Sequence, residues 1–337
     1  MSSLDQPPRT PAPDSTVRRW RDRALLGSLL GLVVFGLVGL AAATGWEETL
    51  AQLAKLSLSQ FAILLGLSLI NYVLRGLRWH LFTRRLALGT GLAQDLRHFL
   101  GGFAMSVTPG RVGELVRMRW IRRETGRSFD RTAPLALVDR AADLAAMAVL
   151  LAVALMTTAT HITGALPMTA AAMLLAWTAT RPTLLAAFAT LSYRALGQLP
   201  RLFARIRRAS RTLEVFTHGG TLALSTALGF VGWLAEALAF YLLLTWMGTD
   251  IGIGIAIAIF LFATLAGGLT GAPGGIGGAE AAMVGLLTLE GVGLNVALPA
   301  TAIIRVTTLW FAIAIGLIVF PIAERYSMKG KYALEKN

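Results

Sequence analysis

Two arginines stand deep in apolar sequence, where a charge is expensive: Arg140 and Arg305. An arginine at the centre of a membrane helix costs ~2.5–3.5 kcal/mol on insertion scales, so such groups are paired or face a water-filled cavity. Each follows a glutamate at nearly the same spacing. The step from Glu114 to Arg140 and the step from Glu280 to Arg305 differ by a single position. Each glutamate also closes a short motif. The first reads Pro109-Gly110-Arg111-Val112-Gly113-Glu114, and the second Pro273-Gly274-Gly275-Ile276-Gly277 with Glu280 shortly after. This is the chemistry of ion pairing and anion binding. Proline removes a backbone donor and glycine relaxes the backbone, so a helix stops and restarts at such a motif. The restarting end carries free amides and a positive dipole end that suits an anion.

Other charges belong to the same candidate binding site. Asp139 and Asp143 flank Arg140, the latter about one helical turn away. Arg75, Arg78 and Arg111 either cradle a phosphate at the inner face or set topology and snorkel to the interface. Glu236 lies in mid-span without a repeat partner and suits a hydrogen bond to a neighbouring helix, or a substrate or proton role. No catalytic, metal or cofactor assignment is made. The chain has no cysteine, its four histidines lack metal-ligand spacing, and it has no phosphate-binding P-loop motif.

The elements that position these residues are membrane helices. The 337 residues are 55% hydrophobic and only 15% charged, with a mean hydropathy of +0.64. Several apolar runs reach the roughly 20 residues needed to cross a hydrocarbon core. Their continuity in Ala and Leu argues against a β-barrel. The spacing predicts six spans near 24–44, 61–81, 134–157, 168–191, 221–247 and 296–323, the second ending in Trp79 at interfacial depth. Gly27 and Gly31 give the first span a small-residue contact face. Residues 1–23 read as a disordered basic tail, 194–216 as an amphipathic surface helix, and 324–337 as a second tail. A net charge of +13 then concerns topology and anionic lipid rather than nucleic acid.

The two Pro-Gly motifs interrupt apolar stretches that do not add to the spans. Residues 99–107 are too short to cross and have arginines on both sides. Residues 248–295 contain no Lys or Arg at all. Both are read as re-entrant hairpins, from opposite faces. A hydropathy window alone would let 251–271 cross outright. Of 31 basic residues, only Lys55 falls in an outer loop under this reading, while Arg140, Arg181 and Arg305 lie within spans. The step from Pro109 to Pro273 matches the step from Arg140 to Arg305 to within one position, at about half the chain length. Halves 24–160 and 161–323 thus form an inverted-topology repeat with both termini cytoplasmic, an architecture of secondary transporters.

In this order and spacing the residues resemble the flippase-like, lysylphosphatidylglycerol-synthase transmembrane-region family, over roughly 61–323. The marks are Arg75-Gly-Leu-Arg78-Trp79, the Pro109 motif, Val138-Asp139-Arg140-Ala-Ala-Asp143, the Pro273 motif, Glu280 and Arg305. Asp139 stands where the pattern leads one to expect Glu, which keeps the acidic role. The resemblance implies a lipid translocator or lipid-handling membrane protein, its members being linked to aminoacylated phosphatidylglycerol, hopanoids or polyprenyl-phosphate sugars. Larger members continue into a soluble aminoacyl-transferase domain. Only the short tail 324–337 follows the last span here, so lysyl transfer is not carried over. The expectation is a non-enzymatic, all-α, multi-pass protein of the cell inner membrane. It would move a phospholipid or polyprenyl-phosphate lipid, with a lipid-synthesis enzyme as a candidate partner. The alternatives are a non-transporting partner of such an enzyme and an ion-coupled transporter of a small anion.

Overall fold

The computed structural model describes residues 51, 54, 56–106, 108, 112–158, 164–179, 181, 183, 213–216 and 218–336. The first predicted span and its Gly27–Gly31 pair, Lys55, Pro109, Gly110 and Arg111, and most of the amphipathic segment lie outside these residues. All the described elements are helical, with no strand among the described residues. In chain order they are α1 (Leu58–Arg85), α2 (Leu92–Gly101), α3 (Val112–Thr125), α4 (Phe129–Thr157) and α5 (Ala165–Ala179). Then follow α6 (Gly219–Trp246), α7 (Ile253–Leu269), α8 (Gly278–Leu289), α9 (Leu294–Arg305) and α10 (Phe311–Lys336). Among the described residues, four helices are long and apolar enough to cross a membrane: α1, α4, α6, and the run from Leu294 to Gly330 that joins α9 to α10. The protein is an all-α membrane protein.

Local chemistry sets the helix ends. The Ser57 hydroxyl accepts from the Gln60 amide at 3.2 Å, and Gln60 Oε1 accepts in return from the Ser57 amide at 2.8 Å. Two orphan donors at the start of α1 are thereby satisfied. α2 begins at Leu92, ahead of the short apolar stretch 99–107 singled out in the sequence. The cause is Asp95, which is fully buried. Thr83 and Thr90 donate to its carboxylate at 2.6 and 3.0 Å, and His80 Nδ1 lies 2.6 Å away. That knot folds α2 back onto α1.

α2 runs into a 3-10 turn, Gly102–Met105, which packs backbone to backbone on α10. A β-carbon at Gly316 would stand 2.7 Å from the Phe103 carbonyl carbon and 2.9 Å from Ala104 Cα, closer than atoms can pack. α3 is fastened to α10 through Glu324. Its carboxylate accepts from Arg119 and the Trp120 indole at 2.7 Å and from Arg123 at 2.6 Å.

α7 and α8 meet at a second break. Gly275 and Gly277 hold φ of +69° and +86°, a region open to glycine but strained for other residues. The 17 residues of α7 make a helix of roughly 25 Å, at the short end of what a crossing needs. Gly102 with α3, and α7 with α8, each approach closely at one small-residue contact. A β-carbon on Gly113 would collide with the Gly102 carbonyl oxygen, and one on Gly267 would lie 2.7 Å from Ala279 Cβ. Gly113 and Ala279 each directly precede the motif glutamate.

The apolar interior has aromatic centres. Phe240 and Phe260 pack between α6 and α7, with ring centroids 5.9 Å apart. Near the other end, Trp79 packs on Phe99, and Phe82 on Phe216. Trp79 is fully buried, so it does not face lipid headgroups as an interfacial anchor would. It is a core residue, covered by α2 and α3.

Candidate functional site

The charged residues picked out by the sequence gather at one level of the bundle. Arg78 on α1 is fully buried. Its Nη2 donates to Asp139 Oδ1 at 2.6 Å, to Asp143 Oδ1 at 2.7 Å, and to the Asp139 carbonyl at 3.2 Å. Arg75, one turn earlier, donates to Asp143 Oδ2 at 2.7 Å. The Trp233 indole on α6 adds a bond to Asp143 Oδ1 at 3.2 Å. Snorkelling is therefore corrected for Arg75 and Arg78. The two carboxylates of α4 draw both guanidinium groups inward, because a buried charge needs a partner of opposite sign.

Both expected Glu–Arg pairs form. Arg140 Nε bonds the Glu114 carboxylate, and Arg140 Nη1 lies 3.5 Å from Asp143. Arg305 Nε donates to Glu280 Oε1 at 2.6 Å, and its Nη2 donates to the Gly274 carbonyl at 2.7 Å. Glu280 Oε2 accepts from the Gly277 amide at 2.7 Å. Glu280 is thus the third residue of α8 and caps it. Glu114 holds the same third position in α3. The spacing of the motif now has a physical reason. A glutamate there reaches back over the exposed amides of the first turn while its second oxygen takes an arginine. At α8 the positive helix end is satisfied by the protein's own carboxylate.

Residues in or beside both Pro-Gly motifs, Ser106 and Gly113 at the first and Gly274 and Gly275 at the second, line one cavity of about 430 Å³. Its charged wall holds Arg75, Glu114, Arg140, Asp143, Glu236 and Arg305, and Gly113 and Gly274 bring backbone to the same surface. Its apolar wall holds Leu144, Met147, Phe260 and Met283. Leu175 and Leu269 also line it and are 51% and 68% exposed, so apolar side chains continue from the cavity to the outer surface. The structure brings together Arg75, Arg78, Glu114, Asp139, Arg140, Asp143, Glu280 and Arg305. It places Glu236 on the cavity wall without an ion-pair partner among the described residues. Gly277 serves the cap, and the helix break begins at Pro273.

The residues of the family match include all of these. The chain matches the lysylphosphatidylglycerol synthase TM region over residues 25–316. It belongs to that family. Two UPF0104 membrane proteins of Methanothermobacter thermautotrophicus are similar to it. One is 29% identical over 126 residues, covering 36% of this chain and 37% of the relative. The other is 33% identical over 109 residues, covering 32% of each. The matched stretches thus span about a third of each relative. The family is one of membrane regions, and together with the apolar helices it makes this a multi-pass membrane protein.

Several site residues escaped the sequence reading. Tyr72, whose hydroxyl bonds the Thr308 carbonyl, and Trp233 both line the cavity but look like ordinary span residues. Tyr72 meets α9–α10 where Val306–Trp310 makes a π-helical turn, a distortion that recurs at functional sites. On sequence alone Arg117 belongs with the arginines flanking residues 99–107, whose expected part is to set topology. The structure corrects this, because Arg117 is 3% exposed and lines the cavity. The available clue was its place one helical turn after Glu114, on the same face, whereas Arg119 and Arg123 point to Glu324.

Proposed function

We propose that this protein is a lipid translocator that moves an anionic or polyprenyl-phosphate-linked lipid between leaflets of the inner membrane. One observation carries the reading: a single cavity is reached by Gly113 and Gly274 from the two Pro-Gly motifs, holds Glu114, Arg140 and Arg305 on its wall, and has an apolar lining that runs out to exposed leucines. A charged headgroup cannot cross hydrocarbon unaided, because desolvating an ion costs many kcal/mol. A cavity with ionised walls replaces part of that hydration, while acyl chains stay in the bilayer beyond Leu175 and Leu269. Pre-paired charges suit such a path. They stay compensated when no lipid is present, and each can exchange partners with a passing phosphate.

On this reading the two breaks belong to re-entrant hairpins of an inverted repeat, halves 24–160 and 161–323, with both termini cytoplasmic. The first half presents Glu114 and Arg140, the second Glu280 and Arg305. Cysteines introduced at Arg127 and Val292 into this cysteine-free chain should label from opposite sides of the membrane, Arg127 from the cytoplasm. Labelling of both from one side rejects the inverted repeat.

No bond-making role is proposed, and a lipid-synthesis enzyme is the fitting partner. Lipid mass spectrometry of protein purified in mild detergent tests the substrate class. An anionic phospholipid or polyprenyl phosphate should be enriched over the bulk membrane composition. Recovery of lipids in bulk proportions counts against translocation and favours a scaffold for a lipid-modifying enzyme.

A further inference from the structure

We infer that Arg117 is the anchor for the ligand's phosphate, with the Glu–Arg pairs arranged around it. The translocation reading supplies only the source of that phosphate; the anion site itself stands on the geometry of Arg117. Five guanidinium groups crowd this level of the bundle. Four of them, Arg75, Arg78, Arg140 and Arg305, have a carboxylate at hydrogen-bond distance. Arg117 does not. Its nearest carboxylate oxygen among the described residues is Asp139 Oδ2, 4.0 Å away. Its Nε and Nη1 are buried and without a hydrogen-bond partner among the described residues. A buried cation in that state is costly, and an arriving anion relieves the cost.

The surroundings are built for a guanidinium. Phe99, Trp79 and Phe103 lie with ring centroids 4.3, 5.3 and 5.8 Å from its central carbon. Aromatic faces cover the flat of the group and leave its in-plane N–H donors unused. Nε and Nη1 each belong, with Nη2, to one of the two planar forks that match the oxygens of a phosphate. Gly102 is small for the same reason. A β-carbon there would stand 3.0 Å from Arg117 Cζ and 3.1 Å from Cδ. Arg117, Gly102 and Ser106 all line the cavity, as do Leu144, Met147 and Met283. The volume is in the range of small-ligand sites. The ligand class is therefore an amphiphile bearing a phosphate ester, its phosphate at Arg117 and its apolar part along the methionine-rich wall.

The test is direct binding to the purified protein, read by thermal shift and titration, with Arg117→Met and Arg117→Lys beside wild type. The probes are dioctanoylphosphatidylglycerol, the neutral dioctanoylglycerol, and inorganic phosphate. Without ligand, Arg117→Met should melt no lower than wild type, because an uncompensated charge has been replaced by an apolar chain of similar length. It should bind dioctanoylphosphatidylglycerol at least about tenfold more weakly, the loss expected for a charged hydrogen bond. Arg117→Lys, which keeps the charge but not the fork, should fall between the two. A ligand-free Arg117→Met that melts well below wild type makes the residue structural and overturns the proposal. So does unchanged affinity for the phospholipid, or wild-type protein that binds neither phosphate-bearing probe. Inorganic phosphate binding as tightly as the lipid, and through Arg117, upholds the anion site but contradicts the lipid translocation reading.

Discussion

Arg78→Met is expected to give the largest loss of stability of any single change in this protein, about 3–5 kcal/mol. The side chain is fully buried and satisfies Asp139 and Asp143 together. Removing it leaves two carboxylates close to each other, with Asp139 then lacking any cation nearer than 4.0 Å. Asp143 keeps Arg75 and Trp233, so the damage should centre on Asp139. Thermal unfolding in detergent measures it. A triple change, Arg78→Met with Asp139→Asn and Asp143→Asn, should recover part of the loss, because no bare carboxylate then remains to be desolvated. Arg75 loses its own carboxylate in that variant, which keeps the recovery incomplete. An Arg78→Met protein that melts with wild type shows the network to be dispensable.

The second expected effect is at Glu280. Glu280→Gln keeps an oxygen to cap the Gly277 amide but strips Arg305 of its charge partner. The pair is closely held, with side chains only 9% and 10% exposed, so the cost should approach the same ~3–5 kcal/mol range. Glu114→Gln should cost less. Its partner Arg140 is 32% exposed and also sees Asp143, so water and a second carboxylate compensate. Glu280→Gln with Arg305→Gln should melt above Glu280→Gln alone, since the bare cation is gone. The double-mutant cycle should return a coupling of about 0.5–3 kcal/mol. Additive effects with no coupling contradict the pairing as an energetic fact.

How far the site was legible depends on the type of interaction. The Glu–Arg pairs could be read from spacing, since the step from glutamate to arginine recurs at nearly the same length and an apolar context demands compensation. The break at Pro273 could be read because proline and glycine act on the backbone locally. What could not be read was the direction of each arginine. Arg75, Arg78 and Arg117 look like the basic flank of a span, as Arg84 and Arg85 do. Whether such a side chain reaches water or turns inward depends on Asp139 and Asp143, far downstream on another helix. The early start of α2 was hidden for a similar reason, because Asp95 finds its partners on α1. Trp79 shows the limit of depth rules. Its place near a span end suggested the interface, yet α2 and α3 fold over it.

The central claim is that a charged cavity between the two breaks carries a lipid headgroup across the membrane. It is tested most directly by following a fluorescent phosphatidylglycerol in proteoliposomes, with a membrane-impermeant quencher reporting the outer leaflet. Wild type should expose inner-leaflet lipid far faster than protein-free vesicles. Arg140→Gln, and the charge-neutral Glu280→Gln with Arg305→Gln, should reconstitute folded and lose most of that rate. Wild-type protein that moves neither this lipid nor any that copurifies with it, at a rate above empty vesicles, contradicts the account.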